Sequence, residues 1–91
     1  MNKKSNIEEK IIENIDIGGP TLIRAAAKNY KFKIVIVDNN DFSIVLDEMS
    51  NSKGVSLETR KYLATKAFLY ISNYDNIIAK WFLEELSLIH I

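Results

Sequence analysis

The 91-residue chain contains no cysteine, which excludes disulfides, thiolate catalysis and Cys-based metal sites together. Its one histidine, His90, stands next to the C-terminus, so no His cluster can hold zinc. Three glycines and one proline leave few places where a helix must break. Hydrophobic residues make up 47% and charged residues 26%, the composition of a packed, largely helical chain rather than a disordered one. Neither sign of charge predominates: 12 Lys and Arg balance 12 Asp and Glu. The basic surplus of a nucleic-acid or anionic-membrane binder is therefore missing, and neither partner is expected. No apolar run approaches the roughly 18–20 residues that cross a bilayer. The start, Met1-Asn-Lys-Lys-Ser-Asn-Ile-Glu-Glu, turns acidic where a signal peptide becomes apolar. A soluble, cytoplasmic protein of at most one small domain is expected. A chain of this size hides only about 60–65% of its unfolded surface, so its stability is marginal without help.

Hydrophobic spacing predicts four helices and one strand. Ile7, Ile11, Ile12 and Ile15 place a helix over 6–15, with Asn6, Glu8 and Glu9 suiting its start. Asp16-Ile17-Gly18-Gly19 interrupts it, and Pro20 opens a second helix over about 20–30, where its missing N–H costs nothing. Ile34-Val35-Ile36-Val37 is β-branched and apolar throughout, the pattern of a short strand covered on both faces. Asp38-Asn39-Asn40-Asp41 lacks the spaced register of a calcium loop and is expected to cap a third helix, 41–50, with Phe42, Val45, Leu46 and Met49 inward. Ser56 caps the longest pattern, Leu57 to about residue 85, with Ser72-Asn73 the point where it can kink or break. Its aromatic residues, from Tyr62 to Phe82, are expected in core or subunit contacts rather than base stacking. One strand cannot satisfy its own backbone, so the chain reads as a fragment of a parallel α/β sheet.

The stretch Glu13-Asn-Ile-Asp16-Ile-Gly-Gly-Pro-Thr21-Leu-Ile-Arg24-Ala-Ala-Ala-Lys28-Asn29 carries the chemistry. Paired glycines before a helix let a ligand approach the backbone, and free N–H groups favour an anion or a developing oxyanion. Thr21, Arg24 and Lys28 share a narrow sector of the helix, leaving Leu22, Ile23, Ala26 and Ala27 to pack. Lys28 lies eight residues beyond Pro20, about 12 Å along the axis, so it meets Asp16 only if the intervening loop folds back. From pattern alone, a simple helix start explains the glycines better than a functional site does.

The words ENIDIGGPTLIRAAAKN resemble, almost letter for letter, the signature of the IMP cyclohydrolase domain of the bifunctional AICAR transformylase/IMP cyclohydrolase family. Lys33-Ile-Val-Ile-Val-Asp38 with Asp41-Phe42 is similar to that family's strand and following helix. Ser56-Leu-Glu-Thr-Arg60, Lys66-Ala-Phe68, Tyr74-Asp75 and Ile78-Ala79 continue the likeness to about residue 82 without a large gap. The chain departs locally, with Tyr30 where the family often has His, and Tyr70-Ile71-Ser72 where it often has His-Thr-Ala.

The resemblance implies a fragment, residues 1–85, of a methylglyoxal-synthase-like three-layer parallel α/β sheet, mostly helical in this portion. It implies closure of 5-formamidoimidazole-4-carboxamide ribotide to IMP with loss of water, without metal or organic cofactor. The family's formyltransferase domain, which uses 10-formyltetrahydrofolate, has no counterpart in these residues. By the same resemblance Asp16 and Lys28 are catalytic, and Ile17, Gly18 and Gly19 line the substrate through their backbone. Arg24 is a weaker candidate, for which an ion pair at the surface or behind the site is the favoured role. A homodimer acting on a purine nucleotide is implied for the whole enzyme. The G-R-V-K-T-L-H-P and N-L-Y-P-F motifs of the family are missing, so the 91 residues alone are expected to be inactive. Residues 86–91 equal a reading frame of a transposase adapter used in DNA library preparation and are expected to be a non-native tail. The alternative is a non-enzymatic helical interaction or structural module derived from the same domain, which upstream DNA would discriminate.

Overall fold

The computed structural model describes residues 3–90. Helix α1 spans Lys3–Glu13, α2 spans Gly18–Lys28, α3 spans Phe42–Met49 after a single 3-10 turn at Asn39–Asp41, and α4 runs from Leu57 to His90. The four helices fall where apolar spacing predicts them. Helix α4 shows no break at Ser72-Asn73 and continues past residue 85, because Leu86-Ser87 brings neither glycine nor proline to stop it. At 34 residues it is about 51 Å long.

The expected strand does not form: among the described residues there is no strand, and residues 34–37 run without helical or sheet pairing. Backbone pairing needs a second strand, and none of the described segments offers one. The segment still docks by its side chains. Val35 is buried with Ala27, Ala64 and Ala67, and Ile23, Ala26, Tyr30 and Val37 pack around them. Small residues on both helices let α2 and α4 approach closely, and their contact is the main one of the fold. Leu63, 1% exposed, is the largest fully buried side chain, and Ile71 extends the buried stripe of α4.

Much of the expected core is not covered. Of the inward set on α3, Val45 alone is buried; Phe42, Leu46 and Met49 are exposed. Leu22 on α2 is 73% exposed, and Leu57, Ile77 and Phe82 on α4 are exposed as well. Helices α2 and α4 each turn one side to their shared layer, and their opposite apolar sides meet no second layer among the described residues. The Cα radius of gyration is 18.3 Å, against about 12 Å for a compact chain of this length. At its far end α4 meets α1 across a shallow groove of about 220 Å³ lined by Glu8, Ile12, Trp81, Phe82, Glu85 and Leu86.

Candidate functional site

Asp16 stands in the turn before α2, and two contacts hold it. Its Oδ1 accepts a hydrogen bond from the Gly19 N–H at 3.0 Å, satisfying one of the free donors of the helix start. Its own N–H donates to the Tyr74 hydroxyl at 2.8 Å, which ties the turn to α4. The carboxylate lies over Gly19 so closely that a side chain there would collide with it: a Cβ would stand 3.1 Å from Asp16 Cγ and nearer still to Oδ2. A side chain at residue 19 would therefore displace the Asp16 carboxylate from its bond to the helix start. Gly18 has open space around its Cα. The Thr21 hydroxyl donates to the Ile17 carbonyl at 2.8 Å, fixing the same turn from the other side.

Lys28 occupies the last turn of α2 and is exposed, as are Asp16, Ile17, Gly18 and Arg24. The loop does not fold back along the helix. Asp16 sits at Gly19, and Lys28 is nine residues further on, about 14 Å along the axis and about two and a half turns round it. The structure thus brings Asp16, Gly19 and Tyr74 together and leaves Lys28 at the opposite end of α2.

A second polar cluster was not legible as such. Asp38 caps the 3-10 turn that leads into α3 instead of α3 itself, its Oδ1 accepting from the Asn40 N–H at 3.0 Å. Asp41, also expected as a cap, makes no side-chain capping bond and is 3% exposed. Its Oδ2 pairs with the Lys66 ammonium at 2.7 Å, and Asp38 Oδ2 pairs with the same ammonium at 3.0 Å. Tyr62 donates to Asp41 Oδ1 at 3.4 Å, and its ring centroid lies 5.5 Å from Lys66 Nζ. Lys66 is pushed above the ordinary lysine range, by Asp41 first and then Asp38. The Asn40 N–H, followed by Lys66, holds the Asp38 carboxyl below the usual carboxylate range. The available signal was the acidic pair of the D-N-N-D run together with a lysine on an otherwise apolar stretch of α4.

Glu48 closes the α3–α4 loop. It accepts from the Thr59 hydroxyl, and from the Ser56 N–H at 2.8 Å, and these two donors, Thr59 first, lower its pKa. Ser56 caps α4 as the sequence predicts, accepting from the Thr59 N–H at 3.1 Å. Arg60 donates to the Lys31 carbonyl and so ties the segment after α2 to the start of α4. Gly54, at φ 69°, supplies the left-handed residue of the connecting loop.

Among the described residues no helix is long and apolar enough to cross a membrane. The family model of the AICARFT/IMPCHase bienzyme matches residues 26–90. The chain is 58% identical over 85 residues to the bifunctional purine biosynthesis protein PurH of Buchnera aphidicola subsp. Schizaphis graminum, covering 93% of this chain and 16% of that protein. It is 52% identical over 84 residues to PurH of Acetivibrio thermocellus, covering 91% of this chain and 16% of that protein. PurH of Caldicellulosiruptor bescii is 58% identical over 74 residues, 81% of this chain and 14% of its own length. The chain thus spans about one sixth of the curated relatives it matches. With the family model matched over most of its length, the chain belongs to the AICARFT/IMPCHase bienzyme family.

Proposed function

We propose that residues 1–85 form part of an IMP cyclohydrolase domain in a bifunctional purine-biosynthesis enzyme, and that they serve the step closing 5-formamidoimidazole-4-carboxamide ribotide to IMP. The observation that carries this reading is the Asp16-Ile-Gly-Gly…Lys28 run, lying inside an 85-residue stretch 58% identical to a PurH protein. In the step, the carboxamide nitrogen attacks the formyl carbon, a tetrahedral oxyanion forms, and water departs. It needs a proton removed from a poor nucleophile, charge placed at the oxyanion and a proton delivered to the leaving oxygen. Asp16 accepts or orients the proton of the carboxamide or departing water. Lys28 supplies charge or a proton to the developing oxygen, and Ile17, Gly18 and Gly19 line the base through backbone groups. Separated along α2, Asp16 and Lys28 address different atoms of the substrate in this reading instead of exchanging a proton directly.

The chemistry is redox-neutral and calls for no cofactor; 10-formyltetrahydrofolate belongs to the formyl-transfer activity of the same enzyme. In the complete domain residues 34–37 join a methylglyoxal-synthase-like parallel sheet, a role supported by the burial of Val35 while the segment's backbone lacks a strand partner. The whole enzyme works as a homodimer on a purine nucleotide in the cytoplasm. The 91 residues alone hold too little of the site to position substrate and are inactive.

The test is a transplant: residues 7–82 replace the matching segment of Acetivibrio thermocellus PurH, and IMP formation is followed by absorbance. Cyclisation at a rate comparable to the parent is the expected result. A folded chimera that keeps formyl transfer and makes no IMP would overturn the reading.

A further inference from the structure

We propose that Tyr74 is a positioning residue for the ring closure, acting through Asp16 without touching substrate; the inference rests on the catalytic reading of Asp16 given above. Ala27, in the last turns of α2, packs with Ala64 and Ala67 early in α4, whereas Asp16, just before α2, meets Tyr74 further along α4. The two helices therefore run antiparallel, and Tyr74 reaches the start of α2 because it continues the buried stripe of α4. Ala67, Ile71 and Tyr74 follow one another at helical spacing, the first two buried and the third half-buried. The phenol ring continues the packed face while its oxygen, at the polar tip, takes the Asp16 N–H at 2.8 Å.

That bond matters because of where Asp16 stands. The residue occupies an exposed turn between two helices, outside the backbone hydrogen-bond ladder of either. Its carboxylate is held at one point, by the Gly19 N–H. Thr21 holds the following residue, Ile17, and the Tyr74 hydroxyl holds the Asp16 peptide itself, so that the side chain cannot swing about its Gly19 bond. Tyr74 thus sets the direction from which the carboxylate meets its substrate proton, and a misplacement of about 1 Å in such a group can cost a hundredfold in rate. Phenylalanine preserves the ring and its packing, so Tyr74→Phe removes the oxygen alone.

The experiment is a double-mutant cycle in the bifunctional chimera described above, using Tyr74→Phe, Asp16→Asn and both together. Tyr74→Phe is expected to lower kcat for cyclisation by about tenfold to a hundredfold with KM for the nucleotide little changed. Added to Asp16→Asn it should produce no further loss, since the group it positions is already disabled. Amide hydrogen exchange at Asp16 should accelerate in Tyr74→Phe while the melting temperature stays close to the parent. If Asp16→Asn is slow and Tyr74→Phe turns over normally, Tyr74 is not a positioning residue. An equal Tyr74→Phe loss in both backgrounds also overturns the proposal, by showing a route independent of Asp16. Normal turnover by Asp16→Asn removes the catalytic reading of Asp16 and this proposal with it.

Discussion

Lys66 Nζ lies 2.7 Å from Asp41 Oδ2, joining the first third of α4 to the 3-10 turn that leads into α3. The carboxylate is the one with least access to water, while the lysine keeps partial exposure and holds Asp38 as a second partner. The pair is asymmetric: the lysine has an alternative acid, but the buried Asp41 has no other cation beside it in the cluster.

From that asymmetry, Lys66→Met should destabilise the chain more than Asp38→Asn, because only the former leaves a charge inside the protein without a counterion. Asp41→Asn combined with Lys66→Met should recover part of the loss. Urea midpoints of the four proteins measure it, and equal shifts for Lys66→Met and Asp38→Asn would be the opposite result.

The pH dependence follows from the direction of each shift. Asp38 and Glu48 have folded-state pKa values below their unfolded ones, so their stabilisation is complete above the ordinary carboxylate range, about pH 4, and is lost as pH falls through the depressed values. Lys66 is shifted upward, so its contribution is complete below the ordinary lysine value, about pH 10.4, and is lost only as pH rises through the raised one. Stability should be level across neutral pH and fall in acid. Asp38→Asn and Glu48→Gln should each flatten the acid limb in a series of thermal melts.

The two glycines before Pro20 should respond in opposite ways. Gly18→Ala meets open space within a helix and should stabilise by about 0.4–1 kcal/mol, chiefly by restricting the unfolded chain. Gly19→Ala drives a methyl group into the Asp16 carboxylate and should destabilise the turn. Asp16→Ala in the same chain should relieve the clash. Thermal denaturation of the three variants distinguishes the cases.

The helices were legible because their signals are local: Pro20 with an alanine run gives α2, and Ser56 before Leu57 gives the start of α4. Residues 34–37 carry an equally clear strand signal, but a strand is completed by a neighbour and the described chain supplies none. The same cause exposes Leu22, Leu46 and Ile77, whose apolar faces were readable while their coverings were not. The proposed roles of Asp16 and Lys28 rest on family likeness, since neither has a local pattern that separates chemistry from a helix start. The Tyr74–Asp16 bond joins residues 58 positions apart, and no spacing rule reaches that far. Asp41 shows the same limit from the other side: capping explains Asp38, while a long-range lysine claims its neighbour.

The most direct measurement of the central claim is single-turnover formation of IMP by the chimeric bifunctional enzyme bearing Lys28→Ala. A positioned proton donor or charge at the developing oxygen predicts a fall of about 10²–10⁴-fold in the cyclisation rate, with formyl transfer preserved. Turnover near that of the parent chimera would contradict the assignment of this segment to the ring-closing site.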